Sequence, residues 1–417
     1  MHNGLMTKNG LIAALDVGSS KVCCFVARLP SDAPPRVIGV GHQASHGIKN
    51  GVITDMEAAE AAILQAVHDA EKMAGETVRS VMVNLSAGRP ASHAMDIEVS
   101  IAGHAVEDAD VRRALSQTRE AKGLADAELI HLLPTGFAID GHGGIRDPRG
   151  MYGDRLGVSV HLITAATGAV RNLKTTIERC HLTVDAFVVS AYAAGLATLV
   201  EDEIALGATL IDMGGGTTSF AVFHDGQVIH TDSVPFGGSH VTADVARGLS
   251  TPLASAERLK TLHGAAVTSE DDEQEVIDVP QVGEESHETP NHVPKSILNG
   301  IIQPRIEETL ELVRARLEAS GVSNLAGRRV VLTGGASQLQ GVRELAGTIL
   351  DRHVRLGRPQ RLRGLAESVS GPAFATVAGL IAYAYGSQPS WAAPLPIEIG
   401  QPVGLVGRLQ GWLRAHL

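Results

Sequence analysis

Two segments of the chain share one pattern of apolar and polar positions. In the first, the apolar residues 11–15 lead into Asp16-Val-Gly-Ser-Ser-Lys, and a second apolar run covers 22–27. About two hundred residues later, an apolar run at 209–213, the turn Gly214-Gly-Gly-Thr-Thr-Ser and a run at 220–223 repeat this order. Short β-rich runs around a tight polar turn predict β-hairpins. The sequence therefore predicts one supersecondary unit that occurs twice.

Helical periodicity is present at 55–73, 170–180, 242–247 and 304–319. The last segment is predicted to begin at Pro304, since proline is tolerated in a first helical turn. Strands mixed with helices in this order favour the α/β class.

Three stretches differ in residue composition from the rest of the chain. Residues 84–164 contain glycines, histidines, short strand-like runs and a helix candidate near 108–120, which predicts an inserted subdomain. Residues 269–294 are acidic and contain a short predicted strand at 275–280. The Pro-containing stretch 387–401 predicts a linker of moderate stiffness.

Composition sets limits on the class of protein. The 417 residues, 44% of them hydrophobic, are enough for two lobes. Nine acidic residues in 264–294 account for most of the formal net charge of -11. The rest of the chain is therefore nearly balanced in charge and gives no support for nucleic-acid binding. The three cysteines suit a reducing cytosol rather than a disulfide framework or a metal site. No signal peptide or membrane-spanning run is predicted.

The paired hairpins predict a site for a triphosphate. Glycine and small residues let backbone N–H groups approach phosphate oxygens closely. Asp16 and Asp212 would orient Mg²⁺, mainly through its waters, because Mg²⁺ dehydrates reluctantly. Further donors are predicted at Ser19, Ser20, Lys21, Thr217 and Thr218. A single turn of this kind is more often a plain hairpin, so the prediction depends on the pair.

A third motif strengthens this interpretation. The buried-strand pattern that begins at Val330 runs into Gly334 and Gly335, a turn that can cover an adenosine. No GxGxxG opens a helix after the first strand and no GxxxxGK[ST] occurs, which argues against a dinucleotide dehydrogenase and a Walker-type ATPase.

These three motifs, in this order and spacing, resemble the superfamily of actin, heat-shock chaperones and sugar kinases. The chain most resembles the FtsA family of bacterial division proteins, and this resemblance covers nearly the whole sequence. It is carried by four stretches: Pro235-Phe-Gly-Gly-Ser-His-Val-Thr-Ala-Asp-Val-Ala, Ala256-Glu-Arg-Leu-Lys, Val354-Arg-Leu-Gly-Arg-Pro and Asp147-Pro-Arg-Gly-Met-Tyr-Gly-Asp-Arg-Leu. The last is the most specific, since it resembles a signature of the inserted FtsA subdomain.

The resemblance implies an actin-like two-lobed ATPase fold of the α/β class, with duplicated ribonuclease H-like domains, an FtsA-type insert and a C-terminal amphipathic helix. The implied divisions are 1–83 and 165–206 for the first lobe, 84–164 for the insert, 207–245 and 325–364 for the core of the second lobe, 246–324 for its upper subdomain, 365–386 for a return to the first lobe, 387–401 for the linker and 402–417 for the terminal helix.

The resemblance also implies ATP and Mg²⁺ as cofactors. Phosphate contacts are expected from Gly18, Ser19, Ser20, Gly214, Gly215, Gly216 and Thr217, adenosine contacts from Glu257, Lys260, Gly334 and Gly335, and cleft-lining positions at Gly237 and Gly238. Without the surrounding motifs, Glu257 and Lys260 would be read as a solvated helix pair.

Two departures from the family pattern concern hydrolysis. Ser190 and Ala191 stand where many FtsA chains have Gln-Pro, and Ser219 replaces an Asp. A water-positioning group must reach the attacking water. We therefore expect ATP binding with weak or no turnover.

The last sixteen residues form an amphipathic pattern at helical spacing. Leu405, Val406, Leu409, Trp412, Leu413 and Leu417 fall within one arc, and Arg408 and Arg414 lie outside it. This pattern is typical of a helix that binds a membrane surface containing anionic lipids, and it resembles the FtsA membrane-targeting helix. A terminal helix docked on its own protein would show the same periodicity.

Membership of the FtsA family would imply a peripheral protein at the division septum, on the cytoplasmic side of the inner membrane. Such a protein polymerises as an actin-like filament, binds the FtsZ C-terminal tail and recruits later division proteins. The resemblance places FtsZ docking at Arg305 and Glu308, which otherwise read as a solvated helix face. The alternatives are a sugar kinase, a chaperone-type ATPase and a structural cell-shape actin.

Overall fold

The computed structural model describes residues 10–30, 33–118, 127–283, 291–360 and 362–386. Within these ranges the strands are, in chain order, β1 (Leu11–Val17), β2 (Lys21–Arg28), β3 (Arg36–Ala44), β4 (Ile48–Lys49), β5 (Val52–Ile53), β6 (Ser80–Leu85), β7 (Ala91–Ser100), β8 (Ala127–Ile139), β9 (His142–Ile145), β10 (Arg155–Ala166), β11 (Thr183–Val189), β12 (Ala208–Met213), β13 (Thr218–His224), β14 (Gln227–Val234), β15 (Val276–Val279), β16 (Asn291–Pro294), β17 (Arg329–Thr333) and β18 (His353–Leu356).

The α-helices within the same ranges are α1 (Met56–Ala74), α2 (Asp108–Gln117), α3 (Thr167–Arg179), α4 (Ser190–Thr198), α5 (Glu201–Leu206), α6 (Gly238–Gly248), α7 (Leu253–His263), α8 (Lys295–Ala319), α9 (Val342–Leu350) and α10 (Ala375–Tyr385). Short 3-10 helices cover Glu270–Glu273, Gly335–Gln338, Glu367–Val369 and Pro372–Phe374.

The first lobe is built on a five-stranded sheet in the order β11-β6-β1-β2-β3. β1 pairs antiparallel with β2 and parallel with β6. Both faces of the β1–β2 hairpin are buried, because α1 and α3 pack on one face and α10 packs on the other. The predicted first hairpin is confirmed, although Asp16 lies inside β1 and the turn itself is only Gly18–Ser20.

The second lobe repeats this arrangement. Its sheet has the order β14-β13-β12-β17-β18, with β12 antiparallel to β13 and parallel to β17. In both sheets, three neighbouring strands pair antiparallel: β1, β2 and β3 in the first lobe, and β12, β13 and β14 in the second. Two further strands run parallel to the first of these three: β6 and β11 in the first lobe, and β17 and β18 in the second. The predicted repeat of strand, Asp, Gly-rich turn and strand is therefore confirmed.

The helix predicted to begin at Pro304 begins nine residues earlier, so the predicted start is wrong. α8 starts at Lys295, directly after β16, and Pro304 lies inside it. An internal proline removes a helical hydrogen bond and costs roughly 3 kcal/mol. Leu298 and Ile302 before the proline and Ile306 after it are buried in the same core, which keeps the helix intact on both sides.

An inserted subdomain lies between β6 and α3. Its antiparallel sheet has the order β7-β10-β8-β9, and α2 covers one face. The core between them contains Ile97, Val111, Phe137 and Leu156. This subdomain thus has its own hydrophobic core.

The two lobes meet at a pair of helices. α4 and α10 pack against each other, α10 also contacts β1, and α4 contacts β12 and β13. The hairpin turns of the two lobes consequently face each other beside a cleft. The upper part of the second lobe contains α6, α7, α8 and the β15–β16 pair, which confirms the short strand predicted within the acidic stretch. The linker at 387–401 and the helix at 402–417 lie outside the described residues.

Candidate functional site

Corresponding carboxylates stand near the ends of β1 and β12. Asp16 and Asp212 are each followed by one buried apolar residue and then by a glycine that closes the turn. The N–H groups of Gly18 and Gly214 donate to the carbonyl oxygen three residues later, at 3.0 and 2.9 Å. A Cβ at either glycine would lie 3.0 Å or less from that oxygen. Both lobes therefore present a carboxylate beside a turn that leaves little or no space for a Cβ.

The two turns are in direct contact. Ser19 Oγ accepts a hydrogen bond from the N–H of Gly51 at 2.8 Å. A Cβ at Gly216 would lie 2.5 Å from the same oxygen, and a Cβ at Gly215 would lie 2.8 Å from the side chain of Ser20. Glycine at these positions is thus required for the lobes to approach each other.

A cleft opens beside these turns. It is lined by residues of both lobes and of the segment before α10. The lining residues are Asp16, Gly18, Ser19, Ser20, Lys21, Asn84, Ser86, Ser190, Asp212, Gly214, Gly215, Gly216, Thr217, Ser219, Gly334, Gly335, Pro372, Ala373 and Thr376.

Burial in the cleft disfavours the charged forms of its two carboxyl groups and of its lysine. Burial raises the pKa of Asp16 from 3.8 to about 7, and the nearby carboxylate of Asp212 adds to this rise while Lys21 opposes it. Burial also raises the pKa of Asp212 and lowers that of Lys21. Lys21 Nζ lies 3.3 Å from the ring centroid of Phe374 and has no hydrogen-bond partner among the described residues. Two carboxylates and a buried ammonium group therefore share one enclosed space.

The polar lining residues that were not predicted as ligands are Asn84, Ser86, Ser190, Ser219 and Thr376. Asn84 Oδ1 accepts from the N–H of Val17 at 2.7 Å, and its Nδ2 donates to Ser190 Oγ at 3.2 Å. Thr376 Oγ1 donates to Asp212 Oδ2 at 3.0 Å. A buried Asn in the apolar run of β6 was a usable signal for Asn84. For Thr376 no sequence signal exists, because α10 reaches Asp212 only through the tertiary fold.

Gly334 brings the third predicted motif against the second carboxylate. Its φ is +86°, in the region that favours glycine, and a Cβ there would lie 2.4 Å from Asp212 Oδ1. Gly335 follows it in the cleft wall and begins a 3-10 helix.

Helices α6 and α7 and the residue before α6 contain the other predicted residues, which are bonded to the second turn but are not among the residues that line the cleft. The N–H of Gly238 donates to Gly214 O at 2.9 Å, and Gly237 is the residue before α6. Lys260 Nζ donates to Gly238 O at 3.1 Å and to Glu257 Oε2 at 2.7 Å. Glu257 and Lys260 are therefore an ion pair anchored to the backbone that joins α6 to the second turn.

Some predicted residues lie apart from the cleft lining. Thr218 is fully buried, on the side of β13 opposite to Ser219, and its Oγ1 has no partner among the described residues. Arg305 is on α8, where Nε donates to Asp244 Oδ2 at 2.5 Å and a terminal nitrogen pairs with Glu308. The residues predicted to contact the membrane, 405–417, lie outside the described ranges.

The donors present fit a nucleotide triphosphate with Mg²⁺. A buried carboxyl group is either protonated or paired with a cation, and Mg²⁺ prefers carboxylate oxygens and retained waters. The unpaired ammonium group of Lys21 and the closely spaced glycine N–H groups suit phosphate oxygens. No helix in the part of the chain that the structure describes is long and apolar enough to cross a membrane.

Solved structures share this architecture. The structure titled PilM-PilN type IV pilus biogenesis complex matches with a TM-score of 0.64 and 17% identity, over 90% of this chain and 99% of that chain. MreB5 of Spiroplasma citri, solved bound to ADP, matches with a TM-score of 0.51 and 14% identity, over 89% and 95%. The repeated sheets, the facing turns and these likenesses define an actin-like two-lobed fold, as the sequence predicted.

Relatives at higher identity identify the family within this class. The family described as Cell division protein FtsA matches residues 209–379, and the SHS2 domain inserted in FtsA matches 87–164. Cell division protein FtsA of Rhizobium meliloti is 47% identical over 90% of this chain and 87% of its own length. That of Escherichia coli K12 is 32% identical over 98% of both chains. The chain belongs to the FtsA family of cell division proteins.

Proposed function

We propose that the chain binds Mg²⁺ and ATP in the interlobe cleft, polymerises as an actin-like filament at the septum, and anchors FtsZ to the inner face of the cytoplasmic membrane. There it would also recruit later division proteins. The observation that carries this proposal is the enclosed group of Asp16, Asp212 and Lys21 between two glycine turns, in a chain of the FtsA family.

Each part of the cleft has one role in this proposal. Asp16 and Asp212 hold hydrated Mg²⁺, which relieves the repulsion between two buried carboxylates. The N–H groups of Gly18 and Gly214 close the turns, so those of Ser19, Ser20 and residues 215–217 supply the backbone donors, and Lys21 supplies positive charge. Mg²⁺·ATP would supply the charge neutralisation and the contact that holds both lobes together. Glu257 and Lys260 border the adenosine end.

Apart from Asp16 and Asp212, which the proposal assigns to Mg²⁺, the cleft offers few groups that could activate water. Ser190 Oγ accepts from Asn84, and neither Ser190 nor Ser219 has the basicity of a carboxylate. Weak or absent hydrolysis follows. In this reading ATP acts as an assembly ligand.

Nucleotide binding is tested with a fluorescent ATP analogue and Mg²⁺ in the full chain. Lys21→Met removes the buried charge and should weaken binding at least tenfold, roughly the value of one charge-assisted hydrogen bond. Lys174→Met, which removes a partly buried lysine near Glu178 on α3, is the matched control and should not change the affinity. Equal affinities in all three proteins would count against the cleft as the site.

FtsZ docking is proposed on α8. Arg305 is partly exposed, pairs with Asp244 and Glu308, and lies over the ring of Phe236 at 5.3 Å. An acidic tail would compete with these carboxylates for the guanidinium group. Arg305→Glu should abolish binding of an FtsZ tail peptide, whereas Arg314→Glu, the same charge change on an exposed position of α8, should not. Unchanged binding of the FtsZ tail peptide to Arg305→Glu would rule out this docking site.

Membrane attachment is proposed for residues 402–417. Burial of Leu and Trp side chains in the interface gives one helix modest affinity, and several helices on one filament multiply it through effective concentration. The test is co-sedimentation with vesicles containing anionic lipids, with and without ATP and FtsZ, for the full chain and for a chain ending at residue 400. If deletion leaves vesicle binding unchanged, the helix is not the anchor.

A further inference from the structure

The inserted subdomain lies against the second lobe as well as the first. β7 is an edge strand of the insert and β14 is an edge strand of the second-lobe sheet, and the two edges are in contact. Side chains rather than a backbone ladder join them. An edge strand leaves backbone groups unpaired, so each group that faces the other edge needs a partner.

Ser92 supplies a partner for one residue of β14. Its Oγ lies 2.8 Å from both the N–H nitrogen and the carbonyl oxygen of Thr231. Thr231 is 1% exposed, so water cannot easily replace this hydroxyl group. One side chain of the insert thus binds both edge groups of a second-lobe residue.

His161 on β10 extends the same contact. Its Nδ1 lies 3.0 Å from the carbonyl oxygen of Val228, and its Nε2 lies 2.9 Å from Ser92 Oγ. Burial keeps the ring neutral near pH 7, since it lowers the pKa of His161 to about 4. A carbonyl oxygen only accepts, so Nδ1 carries the hydrogen, and the single hydroxyl hydrogen of Ser92 alternates between Nε2 and Thr231 O.

We propose that Ser92 and His161 form a clasp that holds the insert, and through it the first lobe, against β14 and so resists the rotation of the lobes that opens the cleft. The insert is continuous in sequence with β6 and α3 of the first lobe, whereas β14 belongs to the second. Any rotation of one lobe relative to the other about α4 and α10 must therefore change the distances from Ser92 and His161 to β14. Because the clasp is made only in the closed arrangement, its loss favours the open one.

Hydrogen exchange of the nucleotide-free full chain tests the clasp. Ser92→Ala should speed exchange of amides in Gln227–Val234 and also in the turn 214–217, which the first-lobe turn partly covers. Ser92→Thr keeps the hydroxyl and should restore the wild-type rates. His93→Ala is the matched control, because His93 lies next to Ser92 but bonds Thr164 within the insert, at 3.2 Å.

The outcomes separate the clasp from local packing and from the proposed function. Faster exchange in β14 alone would show a local contact and overturn the proposal, as would unchanged exchange in both segments. The second readout rests on the proposed ATP site: Ser92→Ala should release a fluorescent ATP analogue about three- to tenfold faster than wild type, as expected for losing one or two hydrogen bonds. If wild type binds no analogue, the nucleotide proposal fails while the exchange result still decides the clasp.

Discussion

Neutralising Asp16 should stabilise the nucleotide-free protein, by an amount that grows with pH. Asp16 is 8% exposed and shares the cleft with Asp212, and burial raises its pKa to about 7. A carboxyl group with a raised folded-state pKa favours the protonated form. Its stabilising contribution is fully present below the unfolded pKa of 3.8 and is lost as pH rises through 7.

The size of this loss of stability follows from the shift in the pKa of Asp16. Between the two pKa values the loss is about 1.4 kcal/mol per pH unit for one group, tapering near each end. From pH 5 to pH 7 the wild type should therefore lose about 2 kcal/mol that Asp16→Asn retains. The shift of Asp212 is common to both proteins, so it cancels from the difference to a first approximation.

The assay is urea unfolding of wild type and Asp16→Asn from pH 5 to pH 8, without nucleotide and then with Mg²⁺ and ATP. The stability advantage of Asp16→Asn should grow by about 2 kcal/mol between pH 5 and pH 7 without ligand, and shrink or reverse with Mg²⁺·ATP, which requires the charge. Asp202→Asn, which removes an exposed carboxylate on α5, is the matched control. A difference between wild type and Asp16→Asn that does not vary with pH would refute the reasoning.

Three further substitutions have expected effects on stability, each measured by thermal unfolding. Gly334→Ala should lower the free energy of unfolding by at least about 2 kcal/mol, because it adds a clash with the Asp212 carboxylate to the strain of a positive φ. Gly75→Ala, which has a positive φ in open space, should lower it by about 1 kcal/mol. Equal losses in the two variants would exclude the clash. Pro304→Ala should stabilise the chain by about 1–3 kcal/mol, since alanine restores the hydrogen bond inside α8, and a lower midpoint would contradict this. His131→Leu should cost about 1–3 kcal/mol, because the N–H of Val189 loses its acceptor at 3.1 Å, and an unchanged midpoint would contradict this.

The sequence predicted the features that depend on local pattern. Both hairpins, the glycine turns and the two carboxylates were predicted because short apolar runs and turn residues are local signals. Pro304 was misread because its local signal, a tolerated first-turn position, was overridden by the burial of Leu298 and Ile302. Local pattern gives no information on which distant side chain arrives at a given group.

Contacts across the fold were accordingly the part that sequence did not predict. The ring of Phe374 under Lys21 and the hydroxyl of Thr376 on Asp212 come from the segment that returns to the first lobe near the end of the described chain. The ion pair of Glu257 and Lys260 was visible from its spacing, but its bond to Gly238 O was not. Tertiary packing decides these partners.

The position of the insert also bears on how the chain folds. β6 must pair with β11, which lies about a hundred residues further along, and closing so long a flexible loop costs conformational entropy. The ends of the insert are adjacent, since Ala91 pairs with Thr164 and the N–H of Ala166 donates to Gly88 O at 2.9 Å. An insert that folds first, on its own core, would hold these ends together and shorten the loop that remains to be closed. The subdomain would then act as a folding scaffold for the first-lobe sheet, besides its place against the second lobe.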